Sequence, residues 1–164
     1  LDKTLEWTGE HLTSWYGQPP VELDEESRTT SAALNWILRG DGGQRALVAW
    51  HFGWEPAQQV SGTDWMPPFL AELLVDPYST VRHIAHKSLR EREGYEDFEY
   101  DFVGPLPSRA KARKMALDRW HALPHETSPD KAPRLFMKPD GTLEEESIRR
   151  MIGHRDDRRM ELYE

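Results

Sequence analysis

Apolar positions in this chain recur with the 3.6-residue period of helices, in separate blocks broken by glycine and proline. The clearest block is Met66, Phe69, Leu70, Leu73 and Leu74, spaced three and one, which predicts a helix with a continuous core stripe. Pro67 and Pro68 suit its first turn, where amide donors lack helical partners. Asp76 then stands as a cap and Pro77 as the first residue of a following helix. That helix carries Val81, Ile84, Ala85, Ser88 and Leu89 on its apolar side, so residues 64–91 read as a helical hairpin. An earlier hairpin is predicted from a helix beginning near Glu25, with Ala33, Leu34, Ile37 and Leu38 inward. A turn at Gly40-Asp41-Gly42-Gly43 leads into its second helix, residues 43–53. Before it, residues 2–16 read as a helix with Leu5, Leu12, Trp15 and Tyr16 on or near one face, stopped by Gly17 and Pro19-Pro20. Residues 55–62 add a short turn of helix ending at Gly62.

The two hairpins share a register. Aligning Arg45 with Arg82 sets Val48 on Ala85 and Phe52 on Leu89, at an offset of 37 residues. HEAT-type units repeat at roughly 40–47 residues. The expected fold is therefore all-α, a HEAT-like α-solenoid fragment of stacked hairpins over residues 1–104. An irregular helical extension, residues 105–164, is expected to pack on it. After Gly94, aromatic and acidic residues alternate from Tyr95 to Val103, which predicts an extended strap laid over the stack. A helix over 107–122 follows, with Met115, Ala116 and Trp120 inward, and then a loop from His121 to Pro133. A brief extended piece and a turn span 134–141. Thr142 with Glu145 is the signature of a capping box opening a last helix to about Gly153. The tail is expected to pack only through Met160, Leu162 and Tyr163.

Composition narrows the function classes. A net charge of −8 disfavours general nucleic-acid binding, which needs a cationic surface. No apolar run approaches the length of a membrane span, and no secretory leader is present. The chain lacks an initiator methionine, as a piece of a longer protein would. Zero cysteines remove disulfides, thiolate metal sites, thiol nucleophiles and C-x-x-C-H haem attachment from this segment. Seven tryptophans are expected to serve mainly as packing between helices.

Neither the His83/His86 pair, at i, i+3, nor His121/His125, at i, i+4 but interrupted by Pro124, carries the glutamate of H-E-x-x-H. Both pairs read as surface or boundary histidines, and no metal site is assigned. Arg82 is expected to pair with Asp76 or Asp41 of a neighbouring unit, a bidentate contact that would fix stacking register. Asp41, Arg45, Asp76, Pro77 and Arg82 thus receive structural roles. Arg109, Lys111, Arg113 and Lys114 lie close to Trp120, a combination able to grip phosphate and stack a base. In an acidic chain a solvated helix face is the better reading. No phosphate loop or nucleophile motif is present, and no catalytic residue is assigned.

Gly40-Asp41, Gln44-Arg45-Ala46, Ala49-Trp50, Gly53-Trp54, Ser61-Gly62, Trp65, Pro68, Leu73-Leu74, Asp76-Pro77-Tyr78 and Val81-Arg82 together carry a resemblance. They resemble the C-terminal HEAT-repeat region of bacterial multihaem c-type cytochromes. His11-Leu12, Trp15-Tyr16-Gly17 and Arg155-Asp156-Asp157-Arg158 fit the same pattern, nearly end to end. The resemblance implies haem c on segments N-terminal to this one, and a periplasmic or otherwise extracytoplasmic location. It implies for this segment a non-catalytic scaffold that packs against the haem portion or a protein partner. His11, His51, His83 and His86 are then candidates for a distal ligand to a haem held elsewhere. The alternative is a free-standing HEAT-type module for a peptide or subunit. A helical-repeat nucleic-acid enzyme using Trp120 and the basic cluster comes third.

Overall fold

The computed structural model describes residues 1–123, 132–138 and 140–158, and their regular elements are helices. In chain order they are α1 (Leu5–Tyr16), α2 (Glu25–Thr29), α3 (Ala32–Arg39), α4 (Gly42–Phe52) and α5 (Glu55–Ser61). Then come α6 (Pro67–Leu73), α7 (Ser79–Arg90), α8 (Leu106–Ala122), a 3-10 turn (Ala132–Leu135) and α9 (Glu145–Gly153). Among the described residues there is no strand, only isolated bridges at Thr4–Ser31 and Met137–Leu143.

α3/α4 and α6/α7 are the two hairpins, each packed internally and placed side by side, with α4 against α7 and α3 against α6. The aligned residues Arg45, Val48, Phe52, Arg82, Ala85 and Leu89 are all buried. α6 is the innermost element: Phe69, Leu70, Ala71 and Leu73 have no exposed surface. Its proline-opened first turn holds as expected, with no side-chain cap. α8 packs on α6 and α9 on α3, so the C-terminal helices cover the side of the hairpins away from the α4–α7 contact.

Gly53 lies close against the second hairpin. A Cβ there would stand 2.7 Å from Ser88 Oγ and 3.2 Å from Ser88 Cβ. α4 itself starts from a capping box, in which Asp41 Oδ1 accepts from Gln44 N at 2.8 Å and Gln44 Oε1 accepts from Asp41 N at 3.1 Å.

Several elements depart from the periodicity reading. The helix expected from Glu25 breaks at Thr30-Ser31. Here the N-terminal residues insert: Ala32 N donates to Lys3 O at 2.7 Å and Ser31 Oγ to Leu1 O at 3.0 Å. Ser31 restarts the helix by accepting from Leu34 N. α1 starts at Leu5 and contains no buried residue; it packs chiefly on the short α2. Pro77 lies before α7, whose N-cap is Tyr78, because Asp76 Oδ1 instead closes a turn onto Tyr78 N at 2.9 Å. Thr142 does not cap α9; its hydroxyl goes to Asp140 Oδ1 at 2.6 Å, and Glu144 is the N-cap. Met115 is exposed, whereas Ala116 and Trp120 are buried as expected.

The expected strap lies over the stack but is turned rather than extended, with Tyr95 N donating to Arg92 O at 3.0 Å and Phe98 N to Tyr95 O at 2.9 Å. Between α7 and α8 the chain runs without regular structure, burying Tyr95 and Phe98 and exposing Glu96, Asp97, Glu99 and Asp101. Tyr95 Oη donates to Ala116 O at 2.8 Å, tying the strap to α8, and Tyr100 Oη donates to Leu74 O. Pro124, His125, Met160, Leu162 and Tyr163 lie outside the described residues.

Candidate functional site

The residues assigned structural roles form one buried polar cluster centred on Asp76. Arg45 and Asp76 are both fully buried, with Nε 2.7 Å from Oδ2 and Nη2 donating to Oδ1 at 3.3 Å. This is the bidentate link between hairpins, but Arg45 makes it rather than Arg82. Arg82 Nη1 donates to the backbone carbonyls of Asp76 at 2.6 Å and Pro77 at 2.8 Å, while its Nε reaches Phe102 O at 2.6 Å. Arg82 therefore fastens the strap and the turn before α7. Asp41 serves its own helix and pairs with neither arginine.

Residues after α9 complete the cluster, against the expectation that the tail packs only by its last apolar residues. Arg45 Nη2 lies 2.9 Å from Asp157 Oδ1, and Arg45 Nη1 donates to Asp156 O at 3.1 Å. Arg155 Nη1 reaches Asp76 Oδ2 at 3.5 Å, and Tyr78 Oη donates to Arg158 O at 2.7 Å. Burial lowers the Arg155 pKa, with Asp76 opposing the shift. The Arg158 hydrogen bond holds the Asp156 carboxyl at about 2. The charged groups of this cluster are paired with one another from within the chain. It holds the fold and presents no open chemistry.

The exposed chemistry lies elsewhere. Four tryptophans are not core filler: Trp7, Trp15, Trp50 and Trp54 are all substantially exposed, Trp15 at 62% and Trp50 at 53%. On α1, His11 stacks on Trp7 with ring centroids 3.9 Å apart and meets Trp15 edge-on at 4.8 Å. On α4, Trp50 stacks with Trp54 at 6.1 Å, and His51 stands edge-on to both. Between these helices runs an apolar groove of about 760 Å³, walled by Trp7, Trp36, Leu47, His51 and Val60, with Leu1 at its edge.

The histidines of α1 and α4 are held alike. His11 Nδ1 donates to Trp7 O at 2.8 Å and His51 Nδ1 to Leu47 O at 2.7 Å, each one turn back. In the neutral ring this leaves the Nε2 lone pair as the acceptor, the tautomer that a metal-ligating histidine needs. His86 differs, since its Nε2 is spent on Phe98 O at 2.8 Å. His83 packs on Phe102 at 4.8 Å, far along the chain from the groove. Of the four candidate haem ligands, the fold brings His51 to the groove wall and sets His11 behind Trp7. Among the described residues no group of three or more His, Asp or Glu is placed to hold a metal ion.

No family model, no curated protein and no solved structure matches the chain. Its groove must therefore be read from its own residues. Periodicity missed the groove because Trp7, His11 and Trp15, at i, i+4 and i+8, mark one helix face as clearly as a core stripe does.

The basic cluster is dispersed. Arg113 forms a fork onto Glu72, which raises the arginine's pKa. Arg109 reaches Asp76 O at 3.4 Å, and Lys114 pairs with Asp118 at 2.5 Å. Trp120 is buried, with Nε1 on Asp64 O at 2.8 Å, so its ring faces are not open to a base.

Proposed function

We propose that this chain is a helical scaffold whose apolar groove seats another protein segment, and that it carries out no catalysis by itself. The observation that carries this reading is the open groove between α1 and α4 with tryptophans on both flanks. An exposed apolar surface of this kind marks an interaction site in a stable protein, and tryptophan is the residue most enriched at binding hot spots. The side-by-side hairpins, with first helix on first and second on second, support the HEAT-like reading of the fold.

The occupant we favour is a segment N-terminal to Leu1 in a longer parent. Leu1 is one of the residues that line the groove, so such a segment would be tethered beside that surface. The cytochrome resemblance makes this the haem-bearing portion, with haem c attached there and an extracytoplasmic location. The arrangement of His51, a lining residue of the groove with Nδ1 fixed on Leu47 O, suits a distal ligand position. No helix of the described residues is long and apolar enough to cross a membrane.

The test compares this chain alone with the same chain extended by its natural preceding residues. Amide exchange in α1 and tryptophan emission are the readouts. Slower exchange and a blue shift in the extended protein are expected, both lost when Trp7 and Leu47 are changed to serine. Identical exchange and emission in the two proteins would reject the reading.

A further inference from the structure

Helix α1 carries a stripe that reads nearly the same in both directions. With 3.6 residues per turn, Trp7, Thr8, His11, Ser14 and Trp15 share one face. Reversed about His11, Trp7 exchanges with Trp15 and Thr8 with Ser14, while His11 keeps its place. A two-fold axis across an antiparallel pair of helices demands that exchange. In such an interface each residue i meets residue j of the other copy, and j meets i.

The stripe is preformed and uncovered. His11 stacks on Trp7 at 3.9 Å, and Trp15 meets His11 edge-on at 4.8 Å and Trp7 at 6.5 Å, so the three rings make one continuous surface. Trp7, Ser14 and Trp15 are exposed, and no residue of α1 is buried. Side chains already held against one another lose little freedom on docking.

Charge selects the occupant. The chain carries −8, so two copies repel in most orientations. The stripe holds no carboxylate; Glu6 and Glu10 of the same helix lie off it. An acidic protein can approach its own copy over such a face, and the small Thr8 and Ser14 let two helix axes come close there.

We infer that two copies of this chain pair through α1, antiparallel about a two-fold axis at His11, with Trp7 of each packed on Trp15 of the other. The contact is small. Two tryptophans and two short polar residues a side fall below the roughly 800 Å² per partner of a standard interface. The expected Kd is therefore weak, on the order of 100 μM. His11, Ser14 and Trp15 do not line the groove between α1 and α4, so the pairing is tested separately from the groove's own occupant.

The experiment is sedimentation equilibrium of the chain from micromolar to millimolar concentration. Monomers should pass to dimers and to no larger species, because a two-fold contact closes on itself. His11→Lys and His11→Glu each set like charges across the axis and should weaken pairing at least about tenfold. Mixed in equal amounts, these two variants should recover a heterodimer, since lysine then faces glutamate. Trp15→Ser should abolish the dimer. Thr13→Lys, exposed on α1 but off the stripe, should leave it intact. All four variants should melt close to the parent, because none of the changed residues is buried.

A chain that stays monomeric to millimolar concentration would overturn the proposal, as would growth into larger oligomers. Dimers that survive His11→Lys or Trp15→Ser would place the contact on another face. Lysine and glutamate variants that fail to pair when mixed would reject the axis at His11, and equal loss of dimer in Thr13→Lys would reject the stripe.

Discussion

Four arginines converge on Asp76, and they divide by atom. Arg45 and Arg155 address its carboxylate, while Arg82 and Arg109 address its main-chain oxygen. Sequence alignment of the repeats found the residues of this link but could not assign them. Arg45 and Arg82 are equivalent in register, and only the path of the strap and tail decides which one turns to the carboxylate. The difference is measurable. Removing one partner of a buried ion pair strands the other charge, so Arg45→Met should cost about 3–5 kcal/mol of stability in urea melts. A double-mutant cycle of Arg45→Met with Asp76→Asn should show coupling of about 2 kcal/mol. The cycle of Arg82→Met with Asp76→Asn should show less than half of that, because asparagine keeps the carbonyl that Arg82 uses. Equal coupling in the two cycles would contradict the division.

The helices that form the core were legible because their apolar residues have one possible destination. In α6 and α7, period, caps and prolines agree, and burial follows the stripe. α1 has an equally clear stripe that packs on no core, since amphipathic spacing reports a face and not what covers it. The break at Thr30-Ser31 was illegible for another reason: it depends on Leu1 to Lys3, more than two dozen residues away in sequence. Packing between elements yields a sharper test at Gly53. Gly53→Ala drives a methyl into Ser88, which should cost about 1–3 kcal/mol, and Ser88→Ala in the same chain should recover part of it. Full stability in the single variant would mean that α4 and α7 can separate freely. The strap offers a test by pH. Burial raises the Tyr95 pKa above its ordinary 10.0, opposed by Arg119. A raised folded pKa means the neutral form favours folding. Its contribution is complete below pH 10 and is lost as pH rises through that value toward the folded pKa. Tyr95→Phe gives up the bond to Ala116, worth about 1 kcal/mol at neutral pH. It should also flatten the decline in melting temperature above pH 10, and an unchanged alkaline slope would exclude Tyr95 as its source.

At the scale of the whole molecule, the chain closes on itself where its two hairpins meet. The segment Arg155 to Arg158 crosses from α9 to the Arg45–Asp76 pair, places Asp156 N on Arg39 O at 2.9 Å and adds a second carboxylate to Arg45. It therefore acts on α3, α4 and the turn before α7 together, although it contains no apolar residue. Deleting residues 154–164 removes the hydrogen bonds that these residues give to charged partners, each worth about 1.5–3 kcal/mol. The shortened chain should lose stability by at least one such increment, and amide exchange should quicken in α4 and α7 while α8 is spared. Acid acts on the same clip. The Asp156 pKa lies at about 2, below its ordinary 3.8, chiefly through the Arg158 hydrogen bond. Its contribution is present above pH 3.8 and fades as pH falls toward 2, so the gap in melting temperature between the deletion and full-length chains should narrow across that window. Two curves that stay parallel from neutral pH down to 2 would place the clip's stabilising effect in its backbone contacts and remove Asp156 from it.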